Sequence, residues 1–135
     1  MTLLALILLW PTLSDGHGRP IPCPESVRTV IAQEAPSELA ARWLYVLGAH
    51  ESGYRTSARG DSGRSCGAFQ TPCSETPMDG PHLGARQARV ALRILMRAVE
   101  GCVDHPLWMY ASGRCVSSPV ALRYEVEVDR LAAEP

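Results

Sequence analysis

The sequence predicts a mostly α fold, α+β at most, built as a single domain around one core. Three observations predict it. Apolar residues recur at three- and four-residue spacing in three separate stretches, the spacing that places them on one face of a helix. Residues that start and stop helices stand at the edges of those stretches. Between the second and third lies a glycine- and serine-rich run without helical period, suited to a loop or short hairpin. At 135 residues the chain can bury one core but not two.

Taken in order, Leu3 to Trp10 is an unbroken apolar run closed by Pro11. A membrane-spanning helix needs about 20 residues, so this run is too short. It fits the hydrophobic segment of a secretory signal, and Thr12-Leu13-Ser14 offers small residues where a signal peptidase reads. No basic residue precedes it. Residues 1–18 are thus expected to be a signal peptide and linker, with the domain over 19–135. Pro22 precedes Cys23 where lipid modification wants a small residue, so no stable membrane anchor is expected.

The stretch from His17 to Pro24 is a connector. A first helix is expected from about Glu25 to Glu34, with Val27, Val30 and Ile31 inward and Pro36 ending it. Ser37 then caps a helix running to Gly53. Arg55 to Gln70 is expected to be irregular or a short hairpin, and Thr71 to His82, with three prolines, a surface loop that carries Glu75 and Asp79. From Leu83 to Cys102 the helical signal is strong. Ala88, Ala91, Leu92, Leu95 and Val99 share one face, and Arg86, Arg89, Arg93 and Arg97 share the opposite one. Such a stripe is ordinarily solvated surface; its functional alternative is attraction to an anionic polymer. Pro106 starts a short helix that Gly113 ends. Ser118-Pro119 opens a last helix to about Ala133, although Tyr124 to Val128 also alternates like a strand.

Charge and cysteine content bound the function. The net charge is −1, which implies no long-range attraction to nucleic acid. All 13 basic residues are arginine. Five cysteines in so small a chain point to an oxidising compartment, periplasmic or extracellular. None has the Cys-x-x-Cys spacing of zinc sites, and no metal or cofactor is called for. Short loops join Cys66 to Cys73 and Cys102 to Cys115, which makes these the preferred bridges. Sequence does not fix the connectivity, and an odd cysteine remains, unpaired or bonded outside the chain. Cys66 as a nucleophile gains no independent support from the nearest histidine in sequence, His50.

The chemistry concentrates between His50 and Gln70. Leu39, Trp43, Leu44 and Leu47 form the apolar stripe of the second helix, and the next position on it is Glu51. An acid is therefore aimed along the buried face. Desolvation disfavours the charged carboxylate and raises its pKa, and a helix C-terminus pushes the same way. A carboxyl kept protonated near neutral pH can donate its proton to a leaving oxygen.

Glu51-Ser52-Gly53-Tyr54, the run Gly60-Asp61-Ser62-Gly63-Arg64-Ser65-Cys66-Gly67-Ala68-Phe69-Gln70, and Tyr110-Ala111-Ser112-Gly113 together resemble the lysozyme-like lytic transglycosylases of the soluble (SLT) type. In that family Glu-Ser-Gly-aromatic is followed by Gly-Asp-x-Gly-x-Ser-x-Gly-x-x-Gln and then by Tyr-Asn-Ala-Gly or Tyr-x-Ser-Gly. The resemblance covers about residues 37 to 131 and departs from the commoner form at Ala111, where asparagine is frequent. It implies a lysozyme-like helical domain with the Gly-rich loop or hairpin beside a cleft. It further implies peptidoglycan glycan strands as substrate and Glu51 as the single general acid and base. Ser65, Gln70 and Tyr110 would bind and orient the sugar, and both preferred disulfides would brace the cleft.

Two other functions stay open. A hydrolytic muramidase would use Asp61 as a second carboxylate, and the Ser-Cys-Gly-x-Phe-Gln run also resembles invertebrate-type lysozymes, whose cysteine framework is denser. A wall-binding module without activity would keep the fold alone.

Overall fold

The computed structural model describes residues 1–133; the last two residues of the expected 19–135 domain lie outside the described residues. Six α-helices and two small antiparallel sheets are described, so the fold is mostly α, as the periodicity predicts. Its axis is α3 (Glu38–Ser52), with ten of fifteen residues buried. Ser37 accepts a bond from the Ala40 N–H and starts the helix. Gly53, at φ 64°, stops it and returns its N–H to the Ala49 carbonyl. The apolar stripe begins one turn later than expected: Leu39 is 44% exposed, whereas Trp43, Leu44 and Leu47 are buried.

Three helices pack against α3: α2 (Glu25–Glu34), α4 (Leu83–Gly101) and α6 (Pro119–Ala133). The short α5 (Pro106–Ser112) bridges α4 and α6. Pro106 occupies its first turn and Gly113, at φ 75°, closes it. Ser118 caps α6 through a bond from the Ala121 N–H. The strand-like alternation at Tyr124 is helical in the fold, because Ala121, Tyr124, Val128 and Leu131 bury a common helix face.

The N-terminal residues, expected as signal peptide and linker, pack on this body. Leu3–Leu9 forms α1, which lies on α2. Ile7 is 0% and Trp10 4% exposed, and the Trp10 ring meets Tyr45 edge-on at 5.2 Å. The guanidinium of Arg28 donates to the carbonyls of Ile7 and Trp10 and to the Tyr45 hydroxyl, which itself donates to the Pro11 carbonyl. A two-residue hairpin, β1 (Leu13–Ser14) against β2 (Pro20–Ile21), carries the chain back to α2. Position 18 is therefore not a break in packing. The apolar run that suits a signal equally supplies a buried helix face.

Both preferred disulfides are present, Cys66–Cys73 and Cys102–Cys115, and Cys23 is free. The bridged Cys66 has no thiolate to offer as a nucleophile. No described helix is long and apolar enough to cross a membrane.

Candidate active site

The Glu-Ser-Gly triplet closes α3, and each member does a different thing. Gly53 ends the helix. Ser52, buried, donates from Oγ to the Ala68 carbonyl at 2.6 Å and accepts from the Arg55 N–H at 3.0 Å. It therefore pins the helix end to the glycine-rich segment. Glu51, one residue earlier, is largely buried, and its carboxyl is pushed up to about 7. Burial is the main cause. The Tyr124 hydroxyl beside it opposes this, the negative charge of Asp61 adds to it, and His50 again opposes it.

The glycine-rich segment that Ser52 pins forms a three-stranded sheet, β3 (Arg59–Gly60), β4 (Ser65–Cys66) and β5 (Thr71–Pro72). The expected irregular segment or hairpin is thus a small meander, paired Gly60 to Ser65 and Cys66 to Thr71. Its tip is held in left-handed backbone, with Asp61 at φ 49° and Ser62 at 57°, and Gln70 follows at 50°. Non-glycine residues adopt that region at a cost and persist there only when surrounding contacts hold them. Here the contacts are visible. Ser65 Oγ donates to the Asp61 carboxylate at 2.6 Å, and Gln70 Nε2 donates to the Gly67 carbonyl at 3.0 Å.

Two glycines lie close to side-chain amides, and Gly67 is required by its backbone as well. A Cβ on Gly60 would collide with the Gln70 side-chain oxygen. One on Gly67, at φ 81°, would lie 2.7 Å from Gln87. Gln87 is buried on α4 and uses its whole amide. Its oxygen accepts from the Ala68 N–H at 2.9 Å, and its nitrogen donates to the Thr56 and Pro77 carbonyls at 3.0 and 2.9 Å.

From α5, Tyr110 donates its hydroxyl to the Phe69 carbonyl at 2.6 Å. Its pKa is raised, first by burial and then by the charge of Glu51, so it stays a neutral donor. Tyr124, from α6, is raised for the same two reasons. The His50 ring stacks on Tyr124 at 5.5 Å, and its Nε2 pairs with the Glu127 carboxylate across α3 and α6. The charge of Glu51 therefore acts on two tyrosines, one of them stacked on His50.

A groove of about 480 Å³ opens beside this cluster, lined by Ser65, Gln70 and Tyr110 together with Arg64 and Arg97. Glu51 is not part of its lining; Tyr110 is common to both, since it lines the groove and interacts with Glu51. Asp61 lies near enough for its charge to act on Glu51, while its carboxylate also accepts the Ser65 bond. Among the expected residues, then, Ser65, Gln70 and Tyr110 share a groove, and Glu51 and Asp61 interact beside it. Glu75 also reaches the groove; Asp79 is exposed elsewhere in its loop.

The sequence reading did not single out Tyr124, Gln87 or the His50–Glu127 pair. Tyr124 carried a usable signal, a hydroxyl on the buried Ala121–Val128–Leu131 face. Gln87 carried another, an amide adjoining the apolar face of α4. The partner of His50 lies 77 residues away, beyond any local pattern.

Fold and site together define a class: a mostly helical, disulfide-braced domain with a sheltered carboxylic acid beside an open groove. No protein-family model, curated protein or solved structure matches this chain.

Proposed function

We propose that this protein is a lytic transglycosylase that cleaves the β-1,4 bond between N-acetylmuramic acid and N-acetylglucosamine in peptidoglycan. The observation that carries the proposal is Glu51, a carboxyl pushed up to about 7 by burial beside a groove lined by Ser65, Gln70 and Tyr110. A carboxyl with that pKa is protonated often enough at neutral pH to act as an acid and, once ionised, is basic enough to recover a proton.

In the proposed reaction Glu51 gives its proton to the glycosidic oxygen as the C1–O bond breaks. The resulting carboxylate takes the proton of the muramoyl C6 hydroxyl as that oxygen bonds to C1. A 1,6-anhydro ring forms, no water is consumed, and Glu51 ends protonated as it began. Tyr110 and Tyr124, both neutral, would not compete for that proton, and Tyr124 would help to hold the carboxyl in position. Two disulfides fit work in an oxidising compartment, and export to the periplasm or cell exterior is part of the proposal.

The hydrolytic alternative has one observation in its favour: the charge of Asp61 acts on Glu51, as a second carboxylate would. Mass spectrometry of digested peptidoglycan separates the two. The expected products end in anhydromuramic acid, and Glu51→Gln should form them at least ~100-fold more slowly. Reducing ends carrying an added water would mean hydrolysis. Undiminished digestion by Glu51→Gln would remove Glu51 from the chemistry altogether.

A further inference from the structure

The groove beside Glu51 carries more positive charge than a neutral sugar chain requires. Arg64 and Arg97 line it from different elements, the tip of the meander and α4, against one carboxylate, Glu75. The Arg64 backbone is fixed on both sides: its N–H bonds the Asp61 carbonyl at 3.2 Å, and its carbonyl accepts from the Cys73 N–H at 2.9 Å. The adjacent Cys66–Cys73 bridge braces the same turn. Among the described residues the Arg64 side chain makes no hydrogen bond or ion pair. Arg97 has a single partner, Glu75, at 3.4 Å, with the two side chains 64% and 41% exposed. An ion pair that open contributes little and exchanges readily for a better-placed anion.

Two other members of the α4 arginine stripe are already engaged. Arg86 donates to the Asp79 and Pro81 carbonyls, and Arg89 is paired with Glu34. Arg93 has no side-chain partner among the described residues but lies outside this groove, beside Arg86 and Arg89, so Arg97 is the one stripe member that shares the groove with Arg64. Guanidinium forks match carboxylates in geometry as well as charge.

We propose that Arg64 and Arg97 form a carboxylate-recognition site in this groove, so that the protein selects glycan strands bearing carboxylate substituents over neutral ones. The proposal rests on the transglycosylase reading for its ligand. Peptidoglycan offers such carboxylates from two sources, the lactyl ether of a peptide-free strand and the ends of the stem peptide. Chitin-type chains of N-acetylglucosamine offer none. Selection would come from whether the two arginines find a partner, with Glu75 released from Arg97 on binding.

Calorimetric titration of the full chain in a Glu51→Gln background, which keeps the strands intact, tests it. The probes are peptide-free muramoyl strands, peptide-bearing strands, the same strands with their carboxyls amidated, and chitooligosaccharides of equal length. Adding Arg64→Gln and Arg97→Gln together should weaken binding of carboxylated strands at least ~10-fold and leave amidated strands and chitooligosaccharides unchanged. Loss already seen on peptide-free strands assigns the lactyl carboxylate; loss confined to peptide-bearing strands assigns the stem peptide. Equal affinity of the variant and its parent for every strand would overturn the site, as would equal binding of native and amidated strands. The two proposals fail separately. Arginine-dependent binding by a wild-type chain that cleaves nothing would retain the site and sink the transglycosylase. Cleavage to anhydro products without arginine dependence would do the reverse, and no binding to any strand would sink the site.

Discussion

Glu51 links the site to the stability of the whole domain, because its carboxyl holds a proton more tightly folded than unfolded. Its pKa rises from 4.5 to about 7. Below pH 4.5 the carboxyl is neutral in both states and its burial carries no ionic penalty. As pH climbs through 7 the folded protein must ionise a sheltered acid, and that part of the stability is lost. Glu51→Gln removes the ionisation while keeping the shape. The variant should therefore be more stable than wild type at pH 8.5, by up to about 3 kcal/mol, and close to equal at pH 4.5. Urea melts at both values check this; a difference independent of pH would contradict it. The position of Glu51 was legible because it continues the Trp43–Leu47 stripe. Its neighbours were less so, since the hydroxyl of Tyr124 arrives from a helix 70 residues further along.

Most helices were legible element by element from their apolar spacing, and α3, α5 and α6 also from the residues that start or stop them. Ser37 and Ser118 accept N–H groups where helices begin, and Gly53 and Gly113 turn left-handed where they end. The meander was legible only as a loop or hairpin. Its ladders are two residues long, too short for an alternating pattern, and its shape depends on contacts from outside, above all Gln87. Gln87→Leu would keep the volume and leave the Ala68 N–H and the Thr56 and Pro77 carbonyls without their partner. An expected cost of about 2–4 kcal/mol follows from orphaning buried polar groups. Amide hydrogen exchange at Ala68 should accelerate more than exchange in the middle of α3; unchanged protection at Ala68 would rule out the clamp. The arginine stripe shows the opposite limit. Its period was correct, but nothing local distinguishes Arg89, tied to Glu34, from Arg97, which lines the groove in an open pair with Glu75.

Across the whole molecule the body is assembled from both ends of the chain. Tyr45 at the centre of α3 is covered by Trp10, and Arg123 on α6 reaches the Ser14 carbonyl at 3.1 Å. Composition could show that Leu3 to Trp10 is apolar, not which apolar surface receives it. Deleting residues 1–18 would uncover Ile31 and Tyr45 and remove the burial of Ile7, Trp10 and Leu13. A loss of more than about 3 kcal/mol is expected from side chains of that size. Thermal melts of the full and shortened chains decide it, and an unchanged melting temperature would mean that the first 18 residues add nothing to the fold. The two disulfides act at the same scale, tying the meander to its return strand and the end of α4 to the segment after α5.

The most direct measurement is the ionisation of one carboxyl. Carbon-13 NMR of the side-chain carboxyl signals, recorded from pH 4 to pH 9 on wild type beside Glu51→Gln, assigns the Glu51 resonance by its absence in the variant. A midpoint near 7 is expected for a sheltered acid able to protonate a glycosidic oxygen. A midpoint near 4.5, the value of a solvated glutamate, would contradict the proposed chemistry at its source.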